Sequence, residues 1–171
     1  MKCLLGALVL IAMSWSGAAM AGNAPTLIKA QGTWKSYSFL DQGKKVCFMS
    51  GQPKKQAGKF KKRGEVFFFV TRWMGDKDKN VVSVSNGYRF KPGSSVTVKV
   101  GGRSFKLFTQ GEMAWTKDQS MDDAITAALQ TGSTLVVKGT SQHGTETTDT
   151  YSLKGSGAIY RTLATACSRK K

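Results

Sequence analysis

The residues of this chain able to do chemistry are few, and most of them are cations. Between Gly51 and Arg63 the chain places Lys54, Lys55, Lys59, Lys61, Lys62 and Arg63 around a single aromatic residue, Phe60. Lysine and arginine side chains at such density draw anions, and near an anionic lipid surface each contributes up to about 1 kcal/mol, decaying over a Debye length. Phe60 between Lys59 and Lys61 is placed to insert shallowly at an interface. The competing reading is a solvated loop that only keeps the protein soluble.

Catalytic groups are sparse. His143 is the one histidine. In Ser141–Thr145 it could act as a general base beside Glu146 or Asp149, or simply sit at a turn. A serine hydrolase would need His143 aligned with a nucleophile and an orienting group, and no nucleophile-elbow pattern is present. One histidine, two paired cysteines and scattered carboxylates do not make a zinc set. Asp118, Asp122 and Asp123 lack calcium-loop spacing and read as helix-capping residues. No cofactor motif occurs, so the expectation is a protein that is not an enzyme.

The ends of the chain indicate export. Met1-Lys2, the apolar run Leu4–Met13 and Ala19-Met20-Ala21 read as a signal peptide of residues 1–21, cleaved after Ala21. The run is too short for a membrane span, which needs roughly 18 apolar residues or more. Residues 22–171 then form a single domain with no integral membrane span. Two cysteines remain after cleavage, Cys47 and Cys167, and in an oxidising compartment their default state is a disulfide. The formal net charge of the whole chain is +16. Such a charge favours polyanions such as anionic lipid, lipopolysaccharide or acidic glycan. Nucleic acid is a poorer fit, because no aromatic stacking platform in a defined groove is evident.

The elements that must position these residues are mostly strands. Residues 22–31 read as a loose arm. Trp34–Leu40 and Lys45–Met49 alternate. Glu65–Trp73 is apolar on both faces, Val66, Phe68 and Val70 on one and Phe67 and Phe69 on the other, as in a strand covered on both sides or forming an interface. Val96, Val98 and Val100 line one face of a strand that Gly101-Gly102 turns into a hairpin. Ser120, followed by Asp122 and Asp123, reads as the cap of a short amphipathic helix ending at Gly132. A second helix follows, with Ile159, Leu163 and Cys167 four residues apart. Along Asp149–Leu153, period two puts Asp149 on the same inward side as Tyr151 and Leu153. A buried carboxylate needs partners; Arg72 and the backbone amides of the Gly144 turn are the candidates, making Arg72–Asp149 a structural polar link. The fold class expected is all-β: an immunoglobulin-like β-sandwich with two short helices, or alternatively a partly open β-barrel.

An ordered set of these residues resembles the invasion associated locus B family of bacterial exported proteins. It comprises Trp34 with Cys47, Arg72, Gly87-Tyr88, Phe105–Thr109, Ala114-Trp115-Thr116, the helix running to Gly132, Gly144-Thr145, Asp149–Gly155 and Cys167. The resemblance implies a periplasmic or secreted protein with an immunoglobulin-like sandwich, in a family named for bacterial entry into host red cells. It supplies no catalytic residue and no cofactor. The leading functional expectation is attachment to an anionic envelope or host-surface partner through the basic loop. The alternatives are an envelope structural or protein-interaction module that docks through an apolar strand face, and a hydrolase using His143.

Overall fold

The computed structural model describes residues 24–74 and 79–168; the leader assigned to residues 1–21 lies outside them. The chain runs β1 (Thr26–Gln31), β2 (Trp34–Asp41), β3 (Lys44–Gly51), β4 (Lys55–Ala57), β5 (Phe67–Trp73), β6 (Asn80–Ser85), β7 (Ser95–Val100), β8 (Arg103–Gln110) and β9 (Met113–Trp115). Then follow α1 (Gln119–Thr131), β10 (Thr134–Thr140), β11 (Glu146–Ser152) and α2 (Ser156–Ala166). The expected loose arm is therefore an edge strand from Thr26 onward, paired antiparallel with β2. Part of the basic loop is likewise a strand, β4, paired with β11.

All eleven strands form one antiparallel sheet, in the order β1-β2-β3-β5-β6-β9-β8-β7-β10-β11-β4. The fold is all-β with two short helices, as expected, and its strands are joined in one large open antiparallel sheet rather than closed as a sandwich of two. The three-residue strand β9 makes the difference, since it pairs with β6 on one side and β8 on the other. The inner faces of the two halves nevertheless share a core. Phe68 of β5 meets Trp34 of β2 edge-on at 6.3 Å and Tyr151 of β11 at 6.2 Å between ring centroids. The Trp34 indole donates to the Ser152 carbonyl at 2.8 Å, so the polar atom of this buried ring is satisfied. Val96, Val98, Val100, Leu135 and Val137 complete the apolar interior from β7 and β10.

Both helices pack on this inner side. Asp118, rather than Ser120, caps α1, its carboxylate accepting the Met121 N–H at 2.9 Å. Asp122 lies in the first turn of α1, as expected, and its carboxylate turns inward to accept from the Val82 N–H at 2.7 Å and the Thr116 hydroxyl at 2.5 Å. Burial pushes its carboxyl above the usual carboxylate range, against the opposing effect of those two hydrogen bonds. Helix α2 buries Ile159 and Leu163. It is fastened by the disulfide expected from the sequence, Cys47–Cys167, with Cα atoms 6.0 Å apart.

Candidate functional site

Two surfaces stand out, and the sheet register defines both. On β2, β3, β5, β6, β9 and β8 the residues directly opposite one another run Lys35, Ser50, Phe69, Ser83, Trp115 and Phe108. Cross-strand partners share a face, so this row lies on the side away from Trp34 and Phe68. Parallel rows add Leu27, Tyr37, Phe48, Thr71 and Val81, and then Phe39, Val46 and Trp73. The rings touch in sequence: Tyr37 stacks on Phe48 at 5.0 Å, Phe48 meets Phe69 at 6.3 Å, and Phe69 meets Phe67 at 5.4 Å. Each shields its neighbours only in part, and Leu27 (52%), Phe108 (48%) and Trp73 (42%) are substantially exposed. Neither helix covers this face. Helix α2 is bonded through Cys167 to Cys47 on the opposite side of β3, and α1 packs on α2, β6 and β7.

The outer face of the other half is built differently. There the row is Lys106, Thr97, Lys138, Thr148 and Ala57 across β8, β7, β10, β11 and β4. Lysine and threonine are what a solvated sheet face requires. The aromatic face is thus a local departure within one sheet.

The second surface is the segment 54–63. Lys54, Lys55, Lys59, Lys61 and Lys62 are exposed, as is Phe60. Arg63 is not one of these free cations. Its guanidinium donates to both Asp149 oxygens, at 2.8 and 2.5 Å, while its Nε donates to the Asn86 carbonyl at 2.6 Å. The side chains of this pair are 2% and 0% exposed. Asp149 is inward, as its alternation with Tyr151 requires, but its partner is Arg63 and not Arg72. Register places Arg72 opposite Cys47 and Asn80, in the other half of the sheet. The Arg63 guanidinium also lies between two rings, 5.2 Å from the Phe60 centroid and 5.3 Å from that of Tyr88.

His143 is exposed on the turn between β10 and β11, and its ring hydrogen-bonds the Gln142 amide at 3.2 Å. Among the described residues no group of three or more His, Cys, Asp or Glu is placed to hold a metal ion. None of the described helices is long and apolar enough to cross a membrane.

Comparison with known proteins agrees with this architecture. The family model for the invasion associated locus B (IalB) protein matches residues 34–164. The chain belongs to the IalB family. It is, like other IalB proteins, a periplasmic or secreted bacterial envelope protein. The crystal structure of invasion associated protein B from Bartonella henselae is similar in fold, with a TM-score of 0.56 at 19% identity, covering 82% of this chain and 98% of that one. No curated protein matches the chain. The IalB match spans Trp34 to Ala164 and so takes in both the aromatic face from Tyr37 to Trp115 and the Arg63–Asp149 pair.

The aromatic face was only partly visible in the sequence. Phe67 and Phe69 at alternate positions pointed to it. Tyr37 and Phe39 repeat the spacing in β2, yet only the register shows that they, Phe48, Trp115 and Phe108 lie on one surface.

Proposed function

We propose that this IalB protein is a non-catalytic envelope module that docks another envelope protein through the aromatic outer face of β2, β3, β5, β6, β9 and β8. The observation that carries the reading is the half-exposed row of rings from Tyr37 to Phe108, which neither described helix covers, set beside a Lys/Thr-lined face in the same sheet. Aromatic residues are enriched in interface cores, and contiguous exposed apolar surface marks docking sites. In this reading the excess of Lys and Arg over Asp and Glu keeps the free protein soluble, and the invasion association of the family is one setting in which such docking is used. Export proceeds by removal of residues 1–21, leaving one domain; mass spectrometry of the exported protein should find Gly22 at its N-terminus.

The test is capture of a partner from envelope extract at about 50 and 500 mM salt, a range over which exposed charges become strongly screened. Wild-type protein should retain its partner at the higher salt, and Trp73→Glu/Phe108→Glu should lose it while keeping its Tm. Neutralising Lys54, Lys55, Lys59, Lys61 and Lys62 should leave capture intact. A second reading rests on the exposure of those lysines around Phe60: electrostatic attachment to an anionic envelope surface. Capture abolished by salt and by lysine neutralisation, yet kept by Trp73→Glu/Phe108→Glu, would overturn the first reading in favour of the second.

A further inference from the structure

The segment after β4 is held as a strap across the end of the sheet, and it encloses a cleft. At one end Arg63 is clamped by Asp149 and the Asn86 carbonyl. Beside it, Gly64 donates its N–H to the Gly87 carbonyl at 2.8 Å. Gly87, at φ 70°, approaches the Gly64 backbone so closely that a β-carbon would collide with it. Under the strap, opposite the turn between β10 and β11, lies a cleft of about 360 Å³.

The lining is specific in kind. Lys59, Lys61 and Lys62 supply the cations, and no acidic residue lines the cleft. Phe60 and Tyr88 supply rings, and the remaining lining residues, Ser141, Thr145, Thr147 and His143, are all polar. The Tyr88 and Thr147 hydroxyls lie 2.6 Å apart, and the Asn86 amide donates to Tyr88 at 3.0 Å, so this wall is held in place from behind. The Ser141 hydroxyl accepts from the Thr145 N–H at 3.2 Å. Phe60 rests one face on the Arg63 guanidinium and is still 38% exposed.

We infer that this cleft is a binding site for a phosphorylated sugar. Ammonium groups bind phosphate as point charges, without the fork that a carboxylate favours; the one local fork, that of Arg63, is already used by Asp149. A sugar ring lays its C–H face on Phe60 and its hydroxyls toward Ser141 and the threonines. The cleft volume is at the small end of the roughly 300–1,000 Å³ of ligand pockets, enough for one or two sugar units. The inference deepens the electrostatic reading of residues 54–63 and rests on its exposed lysines, but it requires a shaped site where that reading requires only charge. The same chemistry has two sources, a free sugar phosphate or the head group of a phosphorylated glycolipid.

Calorimetric titration of the oxidised exported protein with glucose 6-phosphate, glucose and inorganic phosphate tests it. The sugar phosphate should bind at least about tenfold more tightly than either component alone, the scale of one charge-assisted contact. Phe60→Ala and Lys61→Gln/Lys62→Gln should each weaken it about tenfold. Lys54→Gln/Lys55→Gln makes the same change of charge away from the cleft and should bind as wild type. Vesicles carrying a phosphorylated glycolipid, competed by the free sugar phosphate, identify a head group as the source; soluble binding without vesicle binding identifies the free sugar. Equal affinity for inorganic phosphate and sugar phosphate, or equal weakening by Lys54→Gln/Lys55→Gln, would overturn the shaped site while leaving electrostatic attachment standing. Absence of any binding to sugar phosphate or to anionic vesicles would remove both.

Discussion

At the residue scale the Arg63–Asp149 pair carries the largest local consequence. Both side chains are withdrawn from water, so each charge is tolerated only because the other is there. Truncating one partner leaves the other buried and uncompensated, which typically costs about 3–5 kcal/mol. Arg63→Ala and Asp149→Ala should each lower unfolding free energy by that order in urea titrations. The double variant should lose less than the sum of the two, and strict additivity would show that the pair is not coupled. Asp122 gives a second, pH-dependent expectation. Its carboxyl is raised above the ordinary Asp value of about 3.9 in the folded state, so just above that pH the folded chain holds a proton the unfolded chain has released. Rising pH therefore removes stability through this window, and the loss is complete once Asp122 ionises in the folded state. Asn in its place keeps an oxygen for both donors, Val82 N–H and Thr116, which converge on Oδ1. Wild-type stability minus that of Asp122→Asn should fall as pH rises from about 4 and then level off; a constant or rising difference would contradict the burial argument.

At the scale of elements, α2 depends on its attachments. A helix of eleven residues is marginal on its own. It is held by Ile159 and Leu163, by the Ser156 hydroxyl, whose single proton is shared between the Leu129 and Leu153 carbonyls, and by Cys47–Cys167. Cys47→Ala/Cys167→Ala should cost about 2–5 kcal/mol, and hydrogen exchange should show α2 amides opening before those of β3 and β5. Unchanged protection of α2 would mean that burial alone docks it. The features legible in the sequence were those with a local period: inward Val66, Phe68 and Val70, the Ile159–Leu163–Cys167 stripe, and Asp149 aligned with Tyr151. Those that were not legible depend on pairing between distant segments. Arg63 and Asp149 are 86 residues apart and meet because β4 pairs with β11, whereas Arg72 suggested itself only through its place on the most apolar strand. Likewise β9 has three residues, too few to show a period, yet without it the sheet would fall into the two sheets expected. Strand β1 has almost every residue exposed, so it lacks the alternation that distinguishes a strand from an arm.

For the whole molecule the governing quantity is the charge of +16 over 171 residues. The described lysines are spread over β7, β8, β10 and the strap as well as the edges, including Lys99, Lys106, Lys138 and Lys54 to Lys62, so repulsion acts across the whole surface. Unfolding moves these charges apart, and like-charge repulsion therefore lowers the stability of the compact state. The screening length is about 30 Å at 0.01 M ionic strength and about 8 Å at 0.15 M. Across that range salt should relieve repulsion between lysines on separate strands while leaving the buried Arg63–Asp149 pair almost untouched. Tm in sodium chloride should accordingly rise by several degrees between those concentrations, on the order of 1 kcal/mol for a domain of this size, and then flatten. Neutralising Lys54, Lys55, Lys59, Lys61 and Lys62 should reduce the rise, because fewer charges remain to be screened. A Tm that fell with salt would mean that attractive surface pairs outweigh the net charge. In that case the excess of cations would not be held at a cost to the fold.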